Sequence, residues 1–145
     1  MRTLGNLIEA AERIDLNYLI PLSLIQSGDE FIRLQREQMM QGQREDGKPI
    51  FNLKTGSDTY SPGYAKKKGK SKPIDLYDKG DFQGDIFLHV DDVTKYVVDS
   101  ADSKSGKLQE NYGTQIFGLN DENKVSLKPI TQRNLVDDVI NELSK

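Results

Sequence analysis

Residues 58–90 read DTYSPGYAKKKGKSKPIDLYDKGDFQGDIFLHV, and the chemical character of this stretch changes three times. An aromatic and proline turn at residues 60–64 leads into five lysines with no acid between them, and an acidic part follows before a strand-like run. An exposed loop that feeds a sheet and meets neighbours of opposite charge accounts for this pattern, whereas no enzyme motif does. The residues that we expect at such an interface are Tyr60, Tyr64, Lys66, Lys67, Lys68, Lys70, Lys72, Asp75, Asp78 and Asp81.

The strand-like run at 85–90 (DIFLHV) is followed by a second one at 95–100 (KYVVDS), and together they predict an antiparallel hairpin. Both faces of the first strand carry apolar groups. We therefore expect one face to pack on helices and the other to meet another subunit or the long segment before it. The two sets alternate along the strand, Ile86, Leu88 and Val90 on one face and Phe87 and His89 on the other.

The residues before position 41 predict helices. Thr3 is suited to cap a first helix of about three turns. The run at 16–25 is the most apolar of the chain, and Pro21 within it predicts that a short second helix starts at or near the proline. We expect the apolar faces of this second helix to lie in the core. The apolar positions at helical spacing in the first helix are Leu4, Leu7, Ile8, Ala11 and Ile14.

Two further helices are predicted, one at about 30–41 and one after Pro129 at the end of the chain. The first has Phe31, Leu34 and Met39 on its inward side, with Arg33, Arg36, Glu37 and Gln38 outside. Spacing also allows an ion pair between Arg33 and Glu37. The C-terminal helix is predicted to dock through a stripe at i, i+3, i+4 and i+7, formed by Val136, Val139, Ile140 and Leu143.

Between these parts, residues 41–74 predict a long extended arm or loop, rich in glycine and proline, with a short edge strand at 48–53. Connections of this length are functional or disordered, and the aromatic and apolar residues here favour a functional one. The chain as a whole is predicted to be a single domain, 1–145, of α+β class. Its parts are N-terminal helices, the arm, a small antiparallel β-sheet and a C-terminal helix.

Composition sets further bounds. Hydrophobic residues make up 35% of the chain, charged residues 30%, and tryptophan is absent, so we expect a small core whose surface is completed by a partner. The net charge of -3 argues against general nucleic-acid binding, and zero cysteines exclude disulfides and thiolate metal sites. Because no apolar run approaches the roughly 20 residues that cross a bilayer, we expect a soluble protein made in a cytoplasm, with no membrane contact.

The lysine cluster has two interpretations. In the first, the five lysines follow a phosphate backbone while Tyr60 and Tyr64 stack on bases. In the second, the lysines form a solvated helical turn that ends at Gly69, and the aspartates downstream balance their charge. The second is favoured, because lysine lacks the bidentate fork with which arginine recognises phosphate.

The acidic part suggests a metal or an enzyme, and neither pattern is complete. Its aspartates lack the alternate spacing and the closing glutamate of a calcium loop, so we expect no metal and no cofactor. His89, the single histidine, has no serine, cysteine or carboxylate motif beside it. A hydrolase that uses Asp75, Asp78 or Asp81 is the competing enzyme class. The missing nucleophile and base pair argue against it, and we expect no catalytic activity.

Several phrases of the sequence resemble a known family. QGQREDGKPI, YSPGYAKKKGK, PIDLYDKGDF and YGTQIFGLNDEN are similar to segments of head-to-tail joining and tail-completion proteins of tailed bacteriophages. The likeness is greatest to neck or tail ring proteins of phages that infect gut Bacteroidales, including crAss-like phages, and it covers roughly residues 31–143. It implies a structural protein of the virion, assembled in the host cytoplasm, whose copies form a ring between portal and tail.

That resemblance implies partners as well: other copies in a homo-oligomeric ring, the portal, other neck or tail proteins, and non-specific contact with packaged DNA. The charge pattern is compatible with ring contacts, since residues 66–72 contribute five lysines and residues 75–92 contribute six acids against one lysine. Opposite patches of this kind satisfy each other in head-to-tail contacts. The alternative is a DNA-binding accessory protein that uses the lysine-rich loop.

Overall fold

The computed structural model describes residues 3–145 and has an α+β architecture, as the sequence predicts. Within this range, seven α-helices and one two-stranded antiparallel sheet are present. In chain order the elements are α1 (Leu4–Glu12), α2 (Leu16–Gln26), α3 (Gly28–Met40), α4 (Pro62–Lys68), α5 (Asp81–Gly84), β1 (Ile86–Asp92), β2 (Lys95–Ser100), α6 (Ser105–Tyr112), a 3-10 turn (Thr114–Ile116) and α7 (Asp121–Leu143).

The N-terminal helices begin at side-chain caps. The Thr3 hydroxyl accepts a hydrogen bond from the Asn6 N–H at 3.1 Å, which confirms the predicted cap of α1. Asp15 caps α2 in the same way, through the Asn17 N–H at 3.0 Å. The prediction that a helix starts at Pro21 is therefore wrong: the cap sets the start at Leu16, five residues earlier, and the proline removes only one hydrogen bond inside α2.

Helix α3 lies between two groups of buried side chains. Its inward residues Phe31 and Leu34 pack with Leu119 and Leu127 of the C-terminal part. Its last turn places Met39 in the larger group, which confirms the predicted inward side of this helix. The other members of the larger group come from the middle of the chain, namely Ile50, Ile74, Leu76, Phe82, Ile86, Ile116 and Phe117.

Two glutamines of α3 bind the backbone that passes behind the helix. Gln35 accepts from the Gly118 N–H at 2.7 Å and donates to the Ile116 carbonyl at 3.2 Å. Gln38 donates to the Gly118 carbonyl and accepts from the Asn120 N–H, both at 2.8 Å. The prediction that Gln38 faces outward is wrong, because its amide satisfies buried backbone groups that have no other partner in this bend.

Much of segment 41–74 is packed on its own chain. Ile50 and Ile74 are fully buried in the larger group, and the predicted strand at 48–53 is reduced to a single bridge between Gln43 and Pro49. Gly42 has a φ of +70°, and a Cβ there would lie 2.4 Å from the Cβ of Pro73. Only glycine fits this position, where the two ends of the segment touch.

Strands β1 and β2 form the predicted hairpin, with Ile86 opposite Ser100 and Leu88 opposite Val98. Helices α2 and α3 pack against β1. Ile86 is buried, whereas Phe87 on the other face is 40% exposed. One face of the sheet therefore meets helices, as predicted, and the other is open in the single chain.

The C-terminal helix α7 is longer than the sequence predicts. Asn120 caps it through the Asn123 N–H at 3.0 Å, so the helix begins before Pro129 and continues through it. It packs against α1, α2 and α3. In the predicted docking stripe, Val136 and Ile140 remain exposed while Val139 and Leu143 are half-buried.

Candidate subunit interface

Three of the lysines belong to α4. Pro62 occupies its first turn, where the missing N–H removes no helical hydrogen bond, and Gly69 ends it with a φ of +87° and a hydrogen bond to the Ala65 carbonyl. The helix thus ends at Gly69, as predicted. Lys66, Lys67 and Lys68 lie in its last turn, where the free carbonyls attract positive charge.

Asp75 is the centre of the charged cluster. It is only 1% exposed, and its carboxylate oxygens lie 3.0 Å from Lys68 Nζ and 2.5 Å from Lys70 Nζ. The Tyr77 N–H donates to Oδ1 at 3.0 Å and the Tyr60 hydroxyl at 3.1 Å. Burial by itself would raise the pKa of Asp75, but the bonds from Lys70, Tyr77 and Lys68 outweigh it and hold the pKa below its ordinary value.

Tyr60 fixes the backbone around this carboxylate. Its hydroxyl oxygen accepts from the N–H groups of Asp75 at 3.2 Å and Leu76 at 3.1 Å. Leu76 has a φ of +56°, a left-handed conformation that is rare for a non-glycine residue, and these bonds help to hold it. Burial and the neighbouring negative charge of Asp75 raise the pKa of Tyr60.

The ring of Tyr60 is also occupied. The Tyr64 ring lies 5.0 Å away between centroids, at an interplanar angle of 59°, and Lys68 Nζ lies 5.1 Å from the Tyr60 centroid. A ring with these neighbours, and with its hydroxyl bound to the backbone, is a packing element of the chain. Stacking on a nucleic-acid base would require the cluster to rearrange.

The structure thus divides the ten predicted interface residues into two sets. Five of them contact one another in a single cluster, in which Tyr64 is still 40% exposed: Tyr60, Tyr64, Lys68, Lys70 and Asp75. The other five are exposed: Lys66, Lys67, Lys72, Asp78 and Asp81. Asp75 pairs with two of the lysines. Part of the positive charge of residues 66–72 is therefore neutralised within one chain by the acidic segment 75–92.

A groove of about 750 Å³ lies next to this cluster. Four tyrosines line it, namely Tyr60, Tyr64, Tyr77 and Tyr112, together with charged side chains that include Asp78 and Asp81. The sequence gives no signal for it, because its walls come from segments up to sixty residues apart. The single histidine is elsewhere, with its Nε2 2.8 Å from Asp91 Oδ1 on the hairpin.

A second surface consists of exposed apolar residues on the outer helices. The sequence does not predict it, because the apolar run of α2 is expected in the core. Leu19 is the only large apolar residue of α2 that is fully buried, and Tyr18 is 64% exposed. The other helices that surround the core show the same feature, with Leu4 of α1 at 74% and Val125 of α7 at 70%. Exposed apolar residues on these three helices are Leu4, Leu7, Ile8, Leu16, Tyr18, Ile20, Ile25, Val125, Val136 and Ile140.

Residues 3–145 contain no cluster of three or more histidine, cysteine or acidic side chains arranged to hold a metal ion. Across the same residues, none of the helices combines the length and the apolar character needed to span a membrane. Compared with family models, with curated proteins and with solved structures, the chain matches none of them.

Proposed function

We propose that the chain is a virion structural protein that forms part of the ring-shaped neck or tail connector between portal and tail of a tailed bacteriophage, through subunit–subunit contacts. The phrases QGQREDGKPI, YSPGYAKKKGK, PIDLYDKGDF and YGTQIFGLNDEN suggest the family. The observation that carries an assembly role is the apolar surface of α1, α2 and α7. Ten large apolar side chains of these helices are exposed, and α1 and α2 both pack against α7, so the exposed groups lie on neighbouring helices. Exposed apolar surface on neighbouring elements is a feature of interaction sites.

The charged cluster supports contact rather than chemistry. Asp75, the most buried of the three candidate acids, is fully engaged by two lysines, a tyrosine and a backbone N–H. Asp78 and Asp81 line the groove without a histidine, and the basic side chains that line it with them are Lys79 and Lys104. Absence of catalytic activity stays a prediction on these grounds.

The exposed charges suit contacts around a ring. Lys66, Lys67 and Lys72 are free of ion pairs within residues 3–145, as are Asp78 and Asp81. In a head-to-tail ring, two different surfaces of neighbouring copies meet, so unlike charges on one subunit become complementary between two.

The test is the mass of the purified full-length chain without DNA. We expect closed particles at a fixed multiple of the 16.4 kDa subunit by native mass spectrometry, and rings by electron microscopy. We also expect peptides of this chain in purified particles of the phage that encodes it. A chain that stays monomeric and is absent from those particles would contradict the proposal.

One observation favours the second candidate, a DNA-binding accessory role: three exposed lysines lie within seven residues. Replacing Lys66, Lys67 and Lys72 by glutamine leaves the Asp75 cluster intact, and exposed Lys48, Lys54 and Lys107 provide a matched control triple. We expect the first triple to impair assembly in the absence of DNA. Normal assembly together with lost DNA retention in particles would favour the accessory role.

A further inference from the structure

Helix α1 carries an apolar stripe on its surface. Leu4, Leu7 and Ile8 lie at i, i+3 and i+4, which puts them on one face, and each is at least half exposed. Ala10, on a different face, is buried where α1 packs on α7 of its own chain. The contact that anchors α1 therefore leaves the stripe open.

The stripe has an acidic neighbour. Glu12 lies one turn beyond Ile8, next to the stripe, and makes no ion pair with any residue from 3 to 145. From Leu4 to Glu12 the helix is about 12 Å long, at about 1.5 Å per residue.

An apolar groove of about 300 Å³ lies between α2, α3, β2 and α7. Leu24, Phe31, Tyr96 and Leu127 form its walls, with the rings of Phe31 and Tyr96 edge to face at 6.0 Å between centroids. Lys124 and Lys128 line it from α7, one turn apart, and neither forms an ion pair within the described chain. The α7 residues that border the groove, 124–132, also cover about 12 Å.

We propose that the stripe of α1 docks in this groove of a second copy of the chain, with Glu12 against Lys124 and Lys128. The inference rests on the proposed function and specifies its subunit contact. The stripe and the groove have the same length of about 12 Å, both are apolar, and their charges are opposite. The charged residues of the groove are two lysines and its walls are largely apolar, a combination that suits an amphipathic helix with an acidic residue beside its apolar face.

The contact is head to tail. Each copy uses its α1 on one neighbour and offers its groove to the other, which builds a ring if the rotation closes. Each copy in a closed ring makes two such contacts. The contact that closes the ring forms within one assembly, at a high effective concentration, so a short helix is sufficient to hold the ring closed.

The first experiment uses the full chain and reads the mass by native mass spectrometry and analytical ultracentrifugation. We expect Leu7→Glu with Ile8→Glu to remove all species larger than the 16.4 kDa chain. Both side chains are exposed, so the thermal unfolding midpoint should change little. Val93→Glu, an exposed apolar residue in the hairpin turn, is the matched control and should leave assembly unchanged.

Charge reversal tests the pairing. Glu12→Lys alone and Lys124→Glu with Lys128→Glu alone should each weaken assembly, and all three together should restore it. Mixing the Leu7→Glu, Ile8→Glu chain with the Lys124→Glu, Lys128→Glu chain leaves one intact stripe and one intact groove. We expect a dimer of twice the chain mass that grows no further.

The outcomes separate the two proposals. Rings that persist in the Leu7→Glu, Ile8→Glu chain would overturn the α1 contact and leave the proposed function standing. Disassembly of that chain without any effect of the charge reversals would overturn the groove as the receiving surface. A wild-type chain that is monomeric at every concentration would overturn the α1 contact, and its absence from purified particles as well would overturn the proposed function.

Discussion

The interior around α3 and the outer faces of α1, α2 and α7 follow opposite rules. In the interior, Gln35 and Gln38 are fully buried, and each amide has both donor and acceptor partners. On the outer helices, large aliphatic side chains such as Leu4 stand in solvent. The first region holds one chain together by pairing the buried amides of these glutamines with the backbone. The second leaves apolar surface that a neighbouring subunit covers in the proposed ring.

Gln38→Ala should give the largest loss of stability. It leaves the Gly118 carbonyl, the Asn120 N–H and the Asn123 amide without their partner in the core. Each unsatisfied buried group costs about 1 to 3 kcal/mol, so we expect the free energy of unfolding to fall by about 3 kcal/mol or more. Urea unfolding of the monomer measures it. Gln41→Ala, exposed at the end of the same helix, is the control, and equal losses in the two variants would contradict the assigned role of Gln38.

Asp75→Asn should have the next largest effect. The shape is kept, but Lys68 and Lys70 lose the carboxylate that balances them. Removing one partner of a buried pair costs about 3 to 5 kcal/mol, and because the Lys70 side chain is 39% exposed and can turn to water we expect about 2 kcal/mol. Asp78→Asn, exposed on the same segment, should be near neutral in the same unfolding measurement. A neutral Asp75→Asn would show that the cluster does not stabilise the fold.

The stabilising effect of Asp75 should depend on pH in one direction. Its folded pKa lies below its ordinary value of 3.8, so the contribution is fully present above about pH 4 and is lost as the pH falls through the folded pKa. Unfolding of wild type and Asp75→Asn from about pH 7 to about pH 3 measures the difference between them. It should shrink toward the acid end, and a difference that stays constant would refute the assignment.

Ile8→Ser should have the smallest effect on the monomer. Its side chain is about half exposed, so we expect a change of no more than about 0.5 kcal/mol in the free energy of unfolding of the isolated chain. The same substitution should weaken assembly. A large loss of monomer stability would mean that the outer helices belong to the core, and the contrast between the two regions would then disappear.

Local patterns predicted much of the fold. Alternation of apolar residues predicted the hairpin and its inward residue Ile86. A glycine after the lysines predicted the end of α4 at Gly69, and a hydroxyl before an apolar repeat predicted the cap at Thr3. Each of these signals acts over a few residues. They are therefore readable without knowledge of the partners in space.

Other features depend on tertiary contacts and escaped prediction. A glutamine on a helix is ordinarily exposed, and nothing near Gln38 in the sequence indicates that the bend at 116–120 passes behind it. An apolar stripe looks the same whether it faces its own core or a second copy, so the exposure of Leu4 could not be read from spacing. The sequence predicts helix boundaries at Pro21 and Pro129, yet both helices begin upstream, at caps Asp15 and Asn120, and continue through the prolines. In the candidate interface, the sequence predicts that the lysines and aspartates balance in charge. It does not predict that Asp75 pairs with Lys68 and Lys70.

The close contact of Gly42 with Pro73 has a practical consequence for labelling. It closes the thirty residues between them into a loop whose ends are held by the fold. For such a loop, doubling the length costs only about 0.6 kcal/mol. Gly56 is exposed near the middle, and a Cβ built there has no atom within 4 Å, so a short epitope inserted at this point should leave the rest of the chain folded. The loop therefore offers a permissive insertion site for a label that counts the copies in the proposed ring.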